Sequence, residues 1–168
     1  IRKHEYTRPD KEDDRVRQID ALNAQTGPVF LTYRHNKIVE DITDKISKES
    51  PIYDLTADDG VQHTIWLVSG ADDITILTST FDAMDCLYIA DGHHRSASAS
   101  RIAAQRNKEM NQPENAAHNY FLSVIFPDNQ MQILDYNRVI TDLNGMSEDE
   151  FIEKIKKCFY LEAVSSVY

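Results

Sequence analysis

Residues 86–95 read CLYIADGHHR, an apolar run that leads through an aspartate and a glycine into two histidines and an arginine. The apolar run predicts a strand over residues 86–90, and the small residues that follow predict a helix that continues to about Lys108. Where a strand passes through a glycine turn into a helix, unpaired backbone amides and the positive end of the helix dipole converge. The stretch therefore predicts an anion site, suited to a phosphate-bearing ligand.

The side chains of this turn have the chemistry that such a ligand needs. Arg95 can clamp a phosphate through two parallel hydrogen bonds, His93 and His94 on the first helical turn add donors, and Gly92 permits close approach to the backbone. Asp91 could hold a magnesium ion or accept a proton from a substrate as a general base. The structural alternative is that Asp91 caps the helix, one histidine is a buried core residue and Arg95 pairs with a surface carboxylate.

The charged segment at the start of the chain supplies a second group of candidates. His4 and Glu5 offer a base and a metal ligand, and Arg8 offers an anion clamp within about one turn of them. Runs of charged residues are most often solvated faces, which is the alternative for this segment. Both interpretations stay open for Glu5 and Arg8.

Two further candidates lie elsewhere in the sequence. His63 falls in a predicted strand, with Trp66 on the opposite face if that strand is regular. Arg138 follows a predicted strand that ends at Tyr136, so it could be a second anion contact. An exposed arginine is common, and the structural interpretation is favoured for Arg138.

Composition limits the class of protein. The chain has 168 residues, 41% of them apolar, which predicts one globular domain over residues 1–168. The formal net charge of −10 argues against a general nucleic-acid binder, because sequence-independent affinity comes from clustered Lys and Arg.

Three features of the sequence bear on location. No apolar stretch is long enough to span a membrane, and the charged start predicts no signal peptide. Cys86 and Cys158 sit in apolar contexts, which are typical of reduced thiols in a protein core. We therefore expect a cytoplasmic protein without a membrane partner.

The periodicity of apolar residues predicts a mixture of helices and strands. The predicted helices cover residues 11–23, 38–50, 71–84 and 147–159. The second of them carries an apolar stripe of Ile38, Ile42 and Ile46, and the last opens with a capping box of Ser147 and Glu150. The predicted strands cover residues 29–33 and 120–126, with a hairpin of 51–55 and 61–68 and a second hairpin of 120–126 with 131–136. A polar loop is expected at residues 111–115, and residues 165–168 resemble an unfinished strand. This order favours an α+β fold with a mixed sheet and flanking helices, in a piece of a longer protein.

Several familiar sites are missing from the sequence. The phosphate loop of P-loop enzymes, the glycine fingerprint of dinucleotide-binding folds and the nucleophile elbow of hydrolases do not occur. A zinc site at the turn is disfavoured, because adjacent residues on a helix point about 100° apart.

A series of short motifs resembles a known family. ADGHHR at residues 90–95, preceded by HExTR at 4–8, DR at 14–15, NxxTGP at 23–28 and HxxW at 63–66, resembles the bacterial domain-of-unknown-function family numbered 1015. Members of that family are labelled regulators of the ParB-type sporulation protein, and full members are longer. The resemblance covers nearly the whole chain in order, and the ADGHHR block is specific.

More distantly, the turn is similar to the G-x-x-R motif of the ParB and sulfiredoxin superfamily, in which the junction of loop and helix binds nucleotide phosphates. That superfamily includes CTP-binding ParB and an ADP-dependent kinase of free serine. The resemblance implies a ParB/sulfiredoxin-like sheet, phosphate contacts at Gly92, His93, His94 and Arg95, and a catalytic or metal role for Asp91. Sulfiredoxin chemistry needs a cysteine in this motif, where this chain has histidine.

Two hypotheses of different classes follow. The first is a nucleotide-binding phosphotransferase, a magnesium-dependent kinase of a small metabolite hydroxyl, with ATP or ADP as cofactor, His94 and Arg95 on the phosphates, and Asp91 or Glu5 as base. The second is a regulatory domain that senses a nucleotide or phosphorylated metabolite and signals to a protein partner. A DNA-binding or nuclease function is disfavoured by the negative charge.

Overall fold

The computed structural model describes residues 1–110 and 115–163, apart from the side chain of Met110. Most of the predicted polar loop at 111–115 and the whole of the predicted strand at 165–168 lie outside the described residues. The chain divides into two compact units, Ile1–Met131 and Gln132–Tyr168. Each unit is described by itself.

The first unit contains a three-stranded sheet, a two-stranded hairpin and four helices among its described residues. Its helices are α1 Pro9–Leu22, α2 Lys37–Ile46, α3 Ala71–Asp82 and α4 His93–Met110. Its strands are β1 Val29–Tyr33, β2 Tyr53–Thr56, β3 Gln62–Ile65, β4 Tyr88–Asp91 and β5 Ser123–Pro127. The α+β class with a mixed sheet is confirmed, and the helix predicted over 11–23 begins two residues earlier, with Pro9 in its first turn.

The sheet places β1 in the centre, in the order β4-β1-β5. β4 pairs antiparallel with β1, whereas β5 pairs parallel with it, from Val29 opposite Ser123 to Tyr33 opposite Pro127. The residues of β1 alternate between buried and half-buried, as a strand with one face on the core requires. Val29 and Leu31 form that core together with Ile89 of β4.

Helices α2 and α4 bury small and branched side chains on their inner faces. α4 buries Ser98, Ala99 and Ile102, and it packs mainly against α1, with a smaller contact to β1. α2 buries Val39, Ile42 and Ile46, so the predicted stripe was wrong at Ile38, which is half exposed. Val39, Ile42 and Ile46 share one helix face at i, i+3 and i+7 spacing, and Ile38 lies about 100° around the helix from Val39.

The hairpin predicted between residues 120–126 and 131–136 is wrong. β5 pairs with β1 instead, and residues 131–136 form no strand. The carboxylate of Asp128 accepts hydrogen bonds from the backbone N–H of His35 and from the Arg34 guanidinium, both at 2.8 Å, and the chain enters a short 3₁₀ helix there. These bonds tie the end of β5 to the loop after β1, so the chain does not fold back on β5. The other predicted hairpin is confirmed, with β2 and β3 antiparallel.

The second unit contains helix α5, Glu148–Lys156. Its predicted capping box is confirmed, because the Ser147 hydroxyl accepts from the backbone N–H of Glu150 while the Glu150 carboxylate accepts from the backbone N–H of Ser147. Cys158 is exposed rather than part of a core, and Cys86 is half buried; both are free thiols. Within the described part of the chain, no helix has the length and apolar character that crossing a membrane requires.

Candidate functional site: the glycine turn between β4 and α4

Gly92 forms the turn that joins β4 to α4. Its φ of +96° lies in the region that side chains disfavour, and its carbonyl accepts the first helical hydrogen bond, from the backbone N–H of Ser96 at 2.9 Å. A Cβ atom at Gly92 would lie 3.0 Å from both Nε and Nη2 of Arg95. A glycine is therefore needed here both for the backbone angle and for the close approach of the guanidinium.

The Arg95 side chain lies against this turn. Its Nη2 donates to Oδ2 of Asp91 at 2.6 Å, and its Cδ is 3.6 Å from the position that a Cβ of Gly27 would take. Nε of Arg95 is buried and has no hydrogen-bond partner among the described residues. Since buried polar groups are nearly always paired, this N–H is an available donor at the turn.

His93 is buried, with 4% of its surface exposed. Its Nε2 accepts a hydrogen bond from the backbone N–H of His4 at 3.4 Å, the two imidazoles stand edge to face, and its Nδ1 is 3.7 Å from Oε2 of Glu5. Burial, and after it the neighbouring His4, lower the pKa of His93 below its ordinary value. His93 is therefore a neutral residue that positions the start of the chain, as the structural alternative for one histidine predicts.

His94 makes the matching contact one residue later. Its Nε2 accepts from the backbone N–H of Arg8 at 3.1 Å. The two histidines thus hold the leading segment, residues 1–8, against the first turn of α4, and this contact brings Glu5 and Arg8 to the turn. The structure therefore brings together the two groups of candidates, the glycine turn and the leading segment.

Glu12 joins α1 to α4 behind the turn. Its carboxylate accepts hydrogen bonds from the Thr7 hydroxyl and from Arg101, and its backbone carbonyl accepts from the Ser98 hydroxyl at 3.2 Å. The Thr7 hydrogen bond, and more weakly Arg101, lower the pKa of this carboxyl. Glu12 is therefore an anion that fixes α1 beside the turn.

These contacts border an open cavity of about 370 Å³. Its lining combines cationic, imidazole and carboxylate side chains around the glycine: Glu5, Arg8, Lys11, Arg15, Asp91, Gly92, His93, His94 and Arg95. Among the described residues that line it, four are Lys or Arg and two are carboxylates, in a chain with a net charge of −10. Cationic side chains therefore outnumber carboxylates in the lining, with Arg95 paired to Asp91 and Arg8 paired to Asp10 outside it.

Lys11 and Arg15 also line the cavity, and in the sequence they belong only to the run of charged residues that opens the chain. They stand four residues apart on α1, so they share one face of that helix. That spacing was the signal available in the sequence. A second cavity, of about 220 Å³, adjoins the first and shares Arg15 and Arg95 with it.

Of the two remaining predicted contacts, His63 does not line this cavity and Arg138 belongs to the second unit. His63 is an exposed residue of β3, paired across the hairpin with Leu55. Arg138 belongs to the second unit, where its guanidinium stacks over the ring of Tyr136 at 4.5 Å.

The two carboxylates at the cavity, Asp91 and Glu5, suit a metal ion only when a phosphate ligand supplies further oxygen atoms. Within residues 1–110 and 115–163, no three His, Cys, Asp or Glu side chains converge as a metal site. Asp91, the predicted metal ligand, is bound to Arg95, and Glu5 faces His93. Mg²⁺ commonly binds through one or two carboxylates together with substrate phosphates, so Asp91 and Glu5 could hold it beside a bound phosphate ligand.

Comparison with known proteins places the chain in a family. A family model described as "Protein of unknown function (DUF1015)" matches residues 1–167. The chain therefore belongs to that family. The matched region contains the glycine turn and the residues that line its cavity. No curated protein and no solved structure matches the chain.

Proposed function

We propose that the chain binds a nucleotide at the glycine turn and transfers a phosphoryl group between that nucleotide and the hydroxyl of a small metabolite. The cation-lined cavity around Gly92 carries the proposal. It combines a helix N-terminus, a glycine that lets a ligand reach the backbone, and four cationic side chains in an acidic protein. The similarity of the turn to the nucleotide-binding junction of the ParB and sulfiredoxin superfamily supports the same assignment, and we expect the protein to act in the cytoplasm.

The cationic residues bind and orient the phosphates. Arg95 offers its buried Nε–H and the outer face of its guanidinium, and Arg8, Lys11 and Arg15 close the other side of the cavity. The charge that spreads over a phosphoryl group during transfer is stabilised by such fixed donors. His93 and His94 act mainly by holding the leading segment in place, since the Nε2 atom of each accepts a backbone N–H.

The carboxylates provide the proton acceptor. Glu5 lines the cavity and belongs to no close ion pair among the described residues, whereas Asp91 is bound to Arg95 at 2.6 Å. Glu5 is therefore the general base that the geometry favours for the acceptor hydroxyl. A magnesium ion, when bound, would neutralise phosphate charge beside Asp91 and Glu5.

Calorimetry on the whole protein tests binding. ATP, ADP and CTP are titrated with Mg²⁺, and we expect at least one of them to bind, with an affinity reduced about 10- to 100-fold in Arg95→Ala, as for loss of a charged hydrogen bond. Arg106→Ala is the matched control, because Arg106 pairs with Asn23 and Asp20 and does not line the cavity. Failure of all three nucleotides to bind, or an equal loss in both variants, contradicts the proposal.

The engagement of Asp91 by Arg95 favours a second candidate, a sensor that binds the nucleotide without turnover and signals to a protein partner. Formation of a phosphorylated product separates the two functions, and Asp91→Asn is compared with the wild-type protein. In a sensor the variant keeps ligand affinity and partner response, and no phosphorylated product forms with either protein. In a kinase the wild-type protein converts nucleotide in the presence of a pool of hydroxylated metabolites, and Glu5→Gln slows that conversion.

A further inference from the structure

A further cavity, larger than that at the glycine turn, lies between α2, α3, β5 and the end of β1. Its volume is about 610 Å³, and it shares no lining residue with the phosphate cavity. Four aromatic rings contribute to its wall, those of Tyr33, Trp66, Phe81 and Phe126. Its size and aromatic lining are those of a small-molecule site.

Tyr33 carries an unused polar group in this wall. The residue is 4% exposed, its ring stands edge to face against Phe81 with centroids 5.1 Å apart, and its hydroxyl has no hydrogen-bond partner among the described residues. Burial raises the pKa of this phenol, and Glu40 raises it further, so the hydroxyl stays protonated and can both donate and accept. A hydroxyl that lines a cavity and has no hydrogen-bond partner in the described parts of the protein is open to a ligand group that bonds to it.

The charge of the lining selects the kind of ligand. Glu40 and Asp44 of α2 line the cavity, and no Lys or Arg does so in the described part of the chain. Glu40 is bound by Lys37 at 2.7 Å and lies 3.4 Å from His35, whereas Asp44 forms no ion pair within that part. Asp44 also stands in the last turn of α2, where the helix dipole adds negative potential.

We propose that this cavity binds a small organic ligand that combines an aromatic or other flat apolar group with an ammonium group. The flat group packs among the four rings, and the ammonium faces Asp44 and the end of α2, with the Tyr33 hydroxyl as an additional hydrogen-bond partner. Aromatic rings attract a cation through their faces, which favours the same ligand class. This site is independent of the proposed phosphate site.

Trp66 provides a direct readout, because it is the single tryptophan in the sequence and it lines the cavity. Its indole N–H donates to the backbone carbonyl of Glu49 at 3.0 Å, which fixes the ring. Tryptophan fluorescence of the whole protein is followed while 2-phenylethylamine is added, and in parallel 3-phenylpropionate, which has the same ring and linker with the opposite charge. We expect a saturable change with the amine and binding at least tenfold weaker with the acid.

Three variants test whether the fluorescence change comes from amine binding in the cavity. Tyr33→Phe removes only the hydroxyl and Asp44→Asn removes only the charge, and each should weaken amine binding severalfold. Tyr53→Phe, which alters an exposed tyrosine of β2 outside the lining, should leave it unchanged. The proposal is overturned by the absence of saturable binding, by equal binding of the acid, or by amine affinities of Tyr33→Phe and Asp44→Asn equal to that of the wild type.

Discussion

Gly92 and Arg95 depend on each other at the level of single atoms. The guanidinium occupies the space that a Cβ of Gly92 would need, and the turn that Gly92 permits sets the start of the helix that carries Arg95. The backbone angle of Gly92 and the position of the Arg95 side chain therefore both require that residue 92 have no Cβ atom. The sequence predicts the glycine through its turn, but the contact with Arg95 depends on a rotamer that the sequence does not specify.

Gly92→Ala should lower both stability and anion binding. The positive φ costs on the order of 1–3 kcal/mol for a residue with a side chain, and the added methyl group displaces the Arg95 guanidinium. Urea denaturation measures the free energy of unfolding, and calorimetry measures nucleotide affinity.

Gly60→Ala is the matched control for that substitution. Gly60 also has a positive φ, of +81°, but no atom lies within 4 Å of its Cβ position. Its substitution should cost stability and leave nucleotide affinity intact. Equal nucleotide affinities of the two variants would show that displacement of Arg95 does not matter.

At the level of elements, the leading segment is attached to α4 through two imidazole nitrogens. Nε2 of His93 and Nε2 of His94 can accept a backbone N–H only while they are unprotonated. Because the pKa of His93 is lowered in the folded protein, the unfolded chain binds more protons just below its ordinary value of about 6.5. The stability that neutral His93 contributes is present above that pH and is lost as the pH falls through it.

Acidification from pH 7 to about 5.5 should therefore lower the free energy of unfolding, by at most about 1.4 kcal/mol per pH unit for this one group. Urea denaturation across this range measures the slope, and amide hydrogen exchange at His4 reports release of the segment. His93→Gln should flatten the slope, while His63→Gln, which changes an exposed imidazole of β3, should not. A slope unchanged by His93→Gln would rule out this role.

Elements with a local signal could be predicted from the sequence, and pairings between distant segments could not. The strand at Val29–Tyr33, the β2–β3 hairpin with its glycine turn and the capping box of α5 were all predicted, since each depends on neighbouring residues. The partner of β5 was not, because Asp128 is held by residues more than ninety positions earlier in the chain. The same limit applies to the site: the sequence predicts the turn and includes Lys11 and Arg15 among its charged candidates, but it does not show that α1 brings them to the cavity.

On the scale of the whole molecule, the charge of the cavity contrasts with that of the chain. Four cations gather around one turn while the net charge is −10. We expect such a field to favour a compact phosphate ligand that makes short contacts and to disfavour an extended polyanion.

Duplex DNA should therefore not bind in a saturable manner at about 0.15 M salt, because a long phosphate backbone would meet the acidic remainder of the chain. Fluorescence anisotropy with a labelled duplex measures this directly, and the nucleotide that binds in calorimetry serves as the positive control on the same protein. Tight duplex binding at this salt concentration would instead support the DNA-binding function that the composition disfavours.

The leading segment also meets the outer side of β4. Arg2 donates its backbone N–H to the carbonyl of Leu87 at 2.7 Å and accepts from the backbone N–H of Ile89 at 3.0 Å, as a short parallel bridge. Unpaired strand edges are templates for association with other chains. Release of residues 1–8 would therefore open the cavity at the glycine turn and expose a strand edge together, so that self-association of the protein and loss of the proposed ligand become two readouts of one event.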